Sequence, residues 1–326
     1  MSRLDLSVVV TARNRAESLP VLLGRLEQQT MPPARFEIVV VDCGSTDGTA
    51  DHALRYARGA PVRIRVAAQS DPGEIAAKNL GATMAEGRNL LFLDADLLPG
   101  RALLEGHMHA RQGVGGHACV LGGIRPHPRL IPGTFTRWHL PEDRPPPAGV
   151  PALPRHKMLQ NMSVPRAAFH EAGGLDASLE AVRTACLDLA LRLDRLETPV
   201  VENHEAAAFI WCATCLDCER ARVHHEGRDL HTLILRHHAP ELKRQFFLVR
   251  ASFLNLADRI FIPFYLRACQ ESRPDVRSLG PTYRRILRYE RFLGYSDARR
   301  NRPPAGPPPC GRAAEPALRG PMEQSL

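Results

Sequence analysis

Between residues 6 and 94 the apolar positions fall in short solid runs separated by helical spacings. Leu6-Ser7-Val8-Val9-Val10 is a β-branched run that reads as a first strand and ends at Thr11-Ala12-Arg13-Asn14-Arg15. From Ala16 to Gln29, Leu19, Leu22, Leu23 and Leu26 recur at helical spacing, and Pro32-Pro33 closes the helix. Phe36-Glu37-Ile38-Val39-Val40-Val41 reads as a second buried strand, stopping at Asp42-Cys43-Gly44-Ser45-Thr46-Asp47-Gly48-Thr49. Gly44 and Gly48 permit a tight turn there, and Thr46 or Asp47 is placed to cap a helix over 49–58. A third, alternating strand over 62–66 and a helix over 74–86 follow, with the polar turn Ser70-Asp71-Pro72-Gly73 between them. The next strand is Leu90-Leu91-Phe92-Leu93. The succession predicts an α/β domain of βαβ units with right-handed crossovers, its parallel strands apolar throughout because helices cover both faces.

That fourth strand runs into Asp94-Ala95-Asp96 and then a Pro99-Gly100 break. Open α/β sheets place ligands at the carboxyl ends of their strands. Two hard oxygen donors one residue apart suit Mg²⁺ or Mn²⁺, which take one or two carboxylates together with substrate phosphate oxygens. A solvated turn is the plainer alternative for such a pair taken by itself.

The chain has 326 residues, 44% of them hydrophobic, enough for one large domain with an appendage. Its net charge of +8 and isoelectric point near 9.3 suit anionic partners such as nucleotide phosphates or phospholipid headgroups, and equally a merely soluble Arg-rich surface. No aromatic-studded basic sheet or helix-turn-helix pattern is present, so no nucleic-acid partner is expected. The N-terminus enters a strand directly, and no run approaches 18 uncharged apolar residues. The expectation is a cytoplasmic protein, with peripheral contact at the inner membrane face open, and with its eight cysteines as reduced thiols.

With these residues in view, the chain resembles the family 2 glycosyltransferases of GT-A fold over roughly residues 5–200. The resemblance rests on ordered blocks: Val10-Thr11-Ala12-Arg13-Asn14-Arg15; Val39 through Thr49; Gly73 through Lys78-Asn79-Leu80-Gly81, like the family's Gly-x-x-x-Ala-Arg-Asn-x-Gly helix with Lys78 in the Arg position; Leu93-Asp94-Ala95-Asp96; and Asn161-Met162-Ser163 followed by Gly173-Gly174-Leu175-Asp176. It implies a Rossmann-like, mixed but mostly parallel sheet flanked by helices, and a nucleotide-sugar donor. It also implies Mn²⁺ or Mg²⁺ on Asp96 and Asp94, with Thr11, Arg13, Asp42, Lys78 and Ala95 lining the donor. Asn161 and the loop residue Trp138, with His139, are the acceptor-side candidates. Sugar stacking and a loop anchor packed on the core are both open for Trp138.

Two departures stand out. Family members often carry a second acid after the one matching Asp42; here it is Cys43, which makes uracil less certain and keeps guanine and thymine open. Inverting members carry a Glu-Asp pair that supplies the general base; the register of Asp188-Leu189-Ala190-Leu191-Arg192-Leu193 puts Ala185-Cys186 there. Asp188 or Glu180 is then the candidate base. Alternatively, the acceptor needs little activation, or the protein binds sugar nucleotide without efficient transfer. For Asp188 a surface pair with Arg192 is an equal alternative.

Residues 122–155, rich in Gly, Pro, Arg and His, read as a long mobile loop over the site. Cys212-Ala213-Thr214-Cys215-Leu216-Asp217-Cys218 is either one side of a helix carrying small apolar thiols or a second metal site of Cys212, Cys215, Cys218 and His224. The apolar, interrupted stretch 246–266 suits helix packing, a dimer contact or a membrane surface. The expected organisation is a GT-A catalytic domain over 1–205, a helical extension over 206–298 and a disordered Pro/Arg-rich tail over 299–326. The expected function is metal-dependent, inverting transfer from a nucleotide sugar, UDP-linked in the first instance, to a glycan, lipid, peptide or small-molecule acceptor; homodimer formation is open. The alternative is a catalytically impaired sugar-nucleotide-binding or scaffold protein.

Overall fold

Runs of β-branched residues, Val8-Val9-Val10 and Ile38-Val39-Val40-Val41, centre β1 (Leu6–Ala12) and β2 (Phe36–Cys43), and both strands are buried along their whole length. A strand buried on both faces needs cover from both sides, and two cores supply it. Leu6, Val8 and Val10 point into one, with Leu19, Leu22, Leu23 and Leu26 of α1 (Leu19–Glu27). Val9 points into the other, which is built on the apolar residues of a C-terminal helix layer. The computed structural model describes residues 4–70, 73–130, 133–139, 160–212, 215–240, 261–267 and 276–303, with Leu242, Phe246 and Cys269 besides.

In chain order the remaining elements are α2 (Thr49–Ala57), β3 (Arg63–Gln69), α3 (Glu74–Met84), β4 (Asn89–Asp94), β5 (Leu97–Pro99), α4 (Leu103–Gln112), β6 (Cys119–Pro126), α5 (Thr134–His139), β7 (Asn161–Pro165), α6 (Arg166–Glu171), α7 (Val182–Arg195), β8 (Val200–Ile210), α8 (Leu216–Arg236) and α9 (Val276–Arg299). The sheet order is β3-β2-β1-β4-β7-β6-β8-β5. β3, β2, β1 and β4 are mutually parallel, β7 runs antiparallel to β4 and β6, and β8 is parallel to β6. Chain order reverses between β1 and β4, which is where such sheets open a crevice. The mixed, mostly parallel sheet with flanking helices and a helical C-terminal part agrees with the fold expected from the sequence.

Several local expectations change. Leu97-Leu98-Pro99 is a short strand antiparallel to β8, not part of a break. The first residues of the expected mobile loop, Gly122 to Pro126, are strand β6, paired along β8. The helix at 49 starts from Gly48 in the left-handed region (φ +85°), and the Asp47 carboxylate accepts from the backbone of Thr49 and Ala16 instead of capping alone. β8 carries the sheet to Ile210, across the expected boundary at 205. The remainder of the loop (140–159), most of the 246–266 stretch and the tail from 304 lie outside the described residues.

α8 and α9 cross closely because each presents a glycine to the other. A Cβ on Gly227 would meet the Arg291 carbonyl oxygen at 1.9 Å, and one on Gly294 the His224 carbonyl oxygen at 1.9 Å. Among the described residues no helix is long and apolar enough to cross a membrane.

Candidate active site

Strand register assembles the site. Thr11 pairs with Asp94 across β1 and β4, and Ala12 pairs with Asp42 across β1 and β2. Parallel neighbours lie about 4.8 Å apart, so Asp42, Thr11 and Asp94 stand abreast at the carboxyl ends of three adjacent strands. α3 adds Lys78 from behind. Its Nζ, 0% exposed, donates to Asp94 Oδ1 at 3.1 Å and Thr11 Oγ1 at 3.3 Å, and pairs with Glu74 at 3.2 Å. Burial works against the ammonium, but the Asp94 and Glu74 carboxylates outweigh it and hold its pKa above the usual lysine value.

The loop after β1 is fastened to the loop after β2. Asn14, in the left-handed region (φ +51°) that asparagine tolerates, donates its N–H to Ser45 Oγ at 2.8 Å, and its Oδ1 accepts from the Thr46 N–H at 3.0 Å. The Arg15 N–H donates to Thr49 Oγ1 at 2.8 Å. This fixes the backbone of Arg15, whose guanidinium forks onto Asp96, Nε to Oδ1 at 2.9 Å and Nη2 to Oδ2 at 3.1 Å. The same carboxylate accepts from the Cys212 thiol, brought there because β8 pairs Ile210 with Leu97. Burial first, and Asp96 second, push that thiol up to about 12 despite Arg15 nearby.

Asp42 is 4% exposed; its Oδ2 accepts from the Ser45 N–H at 3.1 Å, while Oδ1 is buried without a hydrogen-bond partner. An unpaired buried carboxylate oxygen is costly unless a ligand supplies the donor. Its neighbour Cys43 packs among Val39, Val41 and Ala77 as a neutral thiol, its pKa pushed up to about 12 chiefly by burial. Ala95, between the two aspartates in sequence, is buried, and Arg13, the residue after β1, is exposed. The structure thus brings together Thr11, Asp42, Lys78, Asp94 and Asp96, and adds Arg15 and Glu74, which sequence reasoning did not single out. The spacing of Glu74 and Lys78, four apart on one helix, was a usable signal for their pairing; nothing local tied Arg15 to Asp96.

The acceptor-side candidates are spent on packing. Asn161, 1% exposed, accepts from His107 and donates to the Gly123 and Ala206 carbonyls at 3.1 and 2.9 Å, locking β7 to β6 and β8. Trp138 packs with Phe135 and Tyr283 against α9, so the anchor alternative describes it. His139 stacks on Phe135.

The expected base residues meet α8 and the turn that follows it. Asp188, 1% exposed, accepts from His237 Nε2 at 2.7 Å on Oδ1 and from Arg192 Nε at 2.9 Å on Oδ2. Its pair with Arg192 is a buried one, not a surface one. Glu180 pairs with His225 and, at 3.1 Å, with Arg228. Ala185 and Cys186 are buried in the core.

The second metal site does not form. Cys215 and Cys218 are joined as a disulfide at the start of α8, Cys212 sits at Asp96, and His224 faces Glu290 and Asp297 of α9 at 3.8 and 3.7 Å. The chain leaves β8 before it enters α8, so the three cysteines never share a helix face. The disulfide also replaces the expected reduced pair. Among the described residues no group of three or more His, Cys, Asp or Glu is placed to hold a metal ion. Asp94 and Asp96 remain a donor pair of the kind Mg²⁺ and Mn²⁺ accept when phosphate and water complete the shell. In this structure Asp96, its side chain 46% exposed, is engaged by Arg15, and Asp94 by Lys78.

Comparison with known proteins agrees with this geometry. Residues 7–144 match Glycosyl transferase family 2. This segment is therefore similar to the family 2 glycosyltransferases. Validoxylamine A glucosyltransferase of Streptomyces hygroscopicus subsp. limoneus is 34% identical over 168 residues, covering 49% of this chain and 35% of the relative. The chain therefore spans about a third of the length of the curated relatives it matches. Among solved structures, the Pyrobaculum calidifontis mannosyltransferase PcManGT, in complex with GDP-Man and Mn²⁺, aligns with a TM-score of 0.57 at 17% identity, over 92% of this chain and 88% of that one. S. aureus TarS 1-349 in complex with UDP aligns with a TM-score of 0.53 at 17% identity, over 92% of each chain. These family 2 matches and GT-A neighbours agree on the fold.

Proposed function

We propose that this chain binds a nucleotide-sugar donor, UDP-linked in the first instance, at the ends of β1, β2 and β4 and transfers the sugar with inversion to an acceptor. The observation that carries the reading is the unpartnered Oδ1 of Asp42 beside an otherwise saturated set of polar groups. A nucleobase N–H or a ribose hydroxyl supplies the donor it lacks. Lys78, buried and held by three oxygens, keeps Thr11 and Asp94 in place and adds positive charge behind the diphosphate position. Mn²⁺ or Mg²⁺ would be held by Asp96 with Asp94, and when bound supplies charge to the diphosphate as the sugar–oxygen bond breaks. Glu180, its side chain 31% exposed, is better placed than the enclosed Asp188 to reach an acceptor hydroxyl as base. A second reading, donor binding without efficient transfer, is favoured by one observation: Ala185 and Cys186 are buried where the family's carboxylate pair stands.

Thermal melts of the wild type, Asp42→Asn and Asp96→Ala with UDP-, GDP- and dTDP-sugars, with and without Mn²⁺, test the reading. A ligand at about 100 times its Kd stabilises by about 2.7 kcal/mol. The expected result is a shift with one base, strongly reduced in Asp42→Asn, and dependent on Mn²⁺ except in Asp96→Ala. No shift with any nucleotide overturns it. Release of nucleoside diphosphate on adding acceptor then separates transfer from binding alone.

A further inference from the structure

Two cations sit on the two strand-end aspartates, and they are held very differently. Lys78 is fully buried and touches oxygens of Thr11, Glu74 and Asp94. Arg15 is anchored through its backbone to Thr49, while its side chain reaches Asp96 at a carboxylate that is 46% exposed. Its Nη1 adds one contact, to the Asn14 carbonyl at 3.2 Å. We propose that Arg15 is a built-in competitor for the cation site, so that the Asp96 carboxylate holds either the Arg15 guanidinium or a divalent ion. This rests on the reading of Asp96 as the carboxylate that takes the ion.

Charge and geometry support the exchange. Glu74, Asp94 and Asp96 against Lys78 and Arg15 leave a local charge of −1; with Arg15 withdrawn it is −2, which a divalent ion neutralises. The fork of Arg15 covers both carboxylate oxygens, the two atoms an ion would use. Because the Arg15 backbone is pinned by Thr49 and that of Ala16 by Asp47, the side chain can swing while the loop stays. A diphosphate arriving with the ion offers the freed guanidinium another anion. Ion uptake and nucleotide uptake are then coupled, each promoting the other through Arg15.

The test is Mn²⁺ titration, followed by the electron paramagnetic resonance signal of free Mn²⁺, on the wild type, Arg15→Met, Arg15→Lys and Asp96→Asn, with and without UDP. Removing the competitor tightens Mn²⁺ binding in Arg15→Met about tenfold, equivalent to about 1.4 kcal/mol. Arg15→Lys, a point charge without the fork, falls between. Asp96→Asn loses the site, and the tightening of Mn²⁺ by UDP shrinks in Arg15→Met. Circular dichroism confirms that each variant is folded. Equal, weaker or absent Mn²⁺ binding in Arg15→Met relative to the wild type overturns the proposal. The donor reading is judged separately, by nucleotide melts of the wild type: nucleotide shifts with no effect of Arg15→Met defeat the competition alone. Tighter Mn²⁺ in Arg15→Met without any nucleotide shift defeats the donor reading alone.

Discussion

Two of the places where this molecule buries charge do so to opposite ends. In the helix layer, Arg183 of α7 reaches Glu219 at 2.7 Å and Glu226 at 3.0 Å, both on α8, and Arg291 of α9 closes on Glu226 at 2.9 Å. Arg222 takes the other oxygen of Glu219 at 2.9 Å. Every oxygen in that set has a partner, and the carboxylates stay ionised: burial works against them, but the arginines hold both below the usual glutamate range. At the strand ends the arrangement stops short of saturation. Asp42 keeps a bare oxygen, and Asp96 holds its arginine at the edge of solvent. A saturated network specifies how three helices meet; an incomplete one keeps binding capacity for something that arrives later.

The largest effect comes from opening the closed network. Arg183→Met strands two buried carboxylates, and the stability measured by urea unfolding falls by about 3 kcal/mol. That is the low end of the range for breaking a buried pair, because Arg222 and Arg291 remain.

A pH profile is the next lever, on groups whose burial is uncompensated by charge. His107, fully buried against Ser163 and Asn161, has its pKa pushed down to about 4, chiefly by burial. The unfolded chain, with a histidine pKa of about 6.5, takes up a proton that the native state refuses, so this contribution is present above pH 6.5 and is lost as pH falls toward 4. Asp229, which accepts from the Glu180 and Ala181 N–H groups, runs the other way: burial raises it to about 6, so its contribution is lost as pH rises from 3.8 through 6. The two nearly cancel in the wild type. Asp229→Asn removes one arm, so between pH 6.5 and 4 its stability drops by about 2–3 kcal/mol more than that of the wild type. Equal slopes for the two proteins would defeat this account.

The smallest stability effect belongs to the open site. Lys78→Met leaves Asp94 and Glu74 able to rehydrate, their side chains being 22% and 48% exposed, so unfolding free energy falls by about 1–2 kcal/mol. Nucleotide-induced melting shifts vanish in the same variant. A loss of stability larger than that of Arg183→Met would erase the distinction between the two regions.

The order of strands and helices through Asp94 was legible because β1, β2 and β4 each hold a run of three or four consecutive apolar residues, and α1 carries leucines at helical period. Asp42, Lys78 and the Asp94–Asp96 pair were legible for the same reason. They lie at the ends of those strands or one helical turn from them, where backbone geometry alone fixes position. The readings that changed depended on partners far away in sequence. Asn161 looked available until His107, Gly123 and Ala206 claimed its hydrogen bonds, and Trp138 until α9 lay against it. Cys212, Cys215 and Cys218 are evenly spaced along the chain. The passage from β8 to α8 nevertheless sends the first to Asp96 and joins the other two. Local periodicity determined which segments are strands and helices and which aspartates end them. Which charge meets which was decided by tertiary packing. Arg15 and Asp96 lie 81 residues apart and are joined because their two strands are neighbours in the sheet, a fact that no local pattern of residues contains.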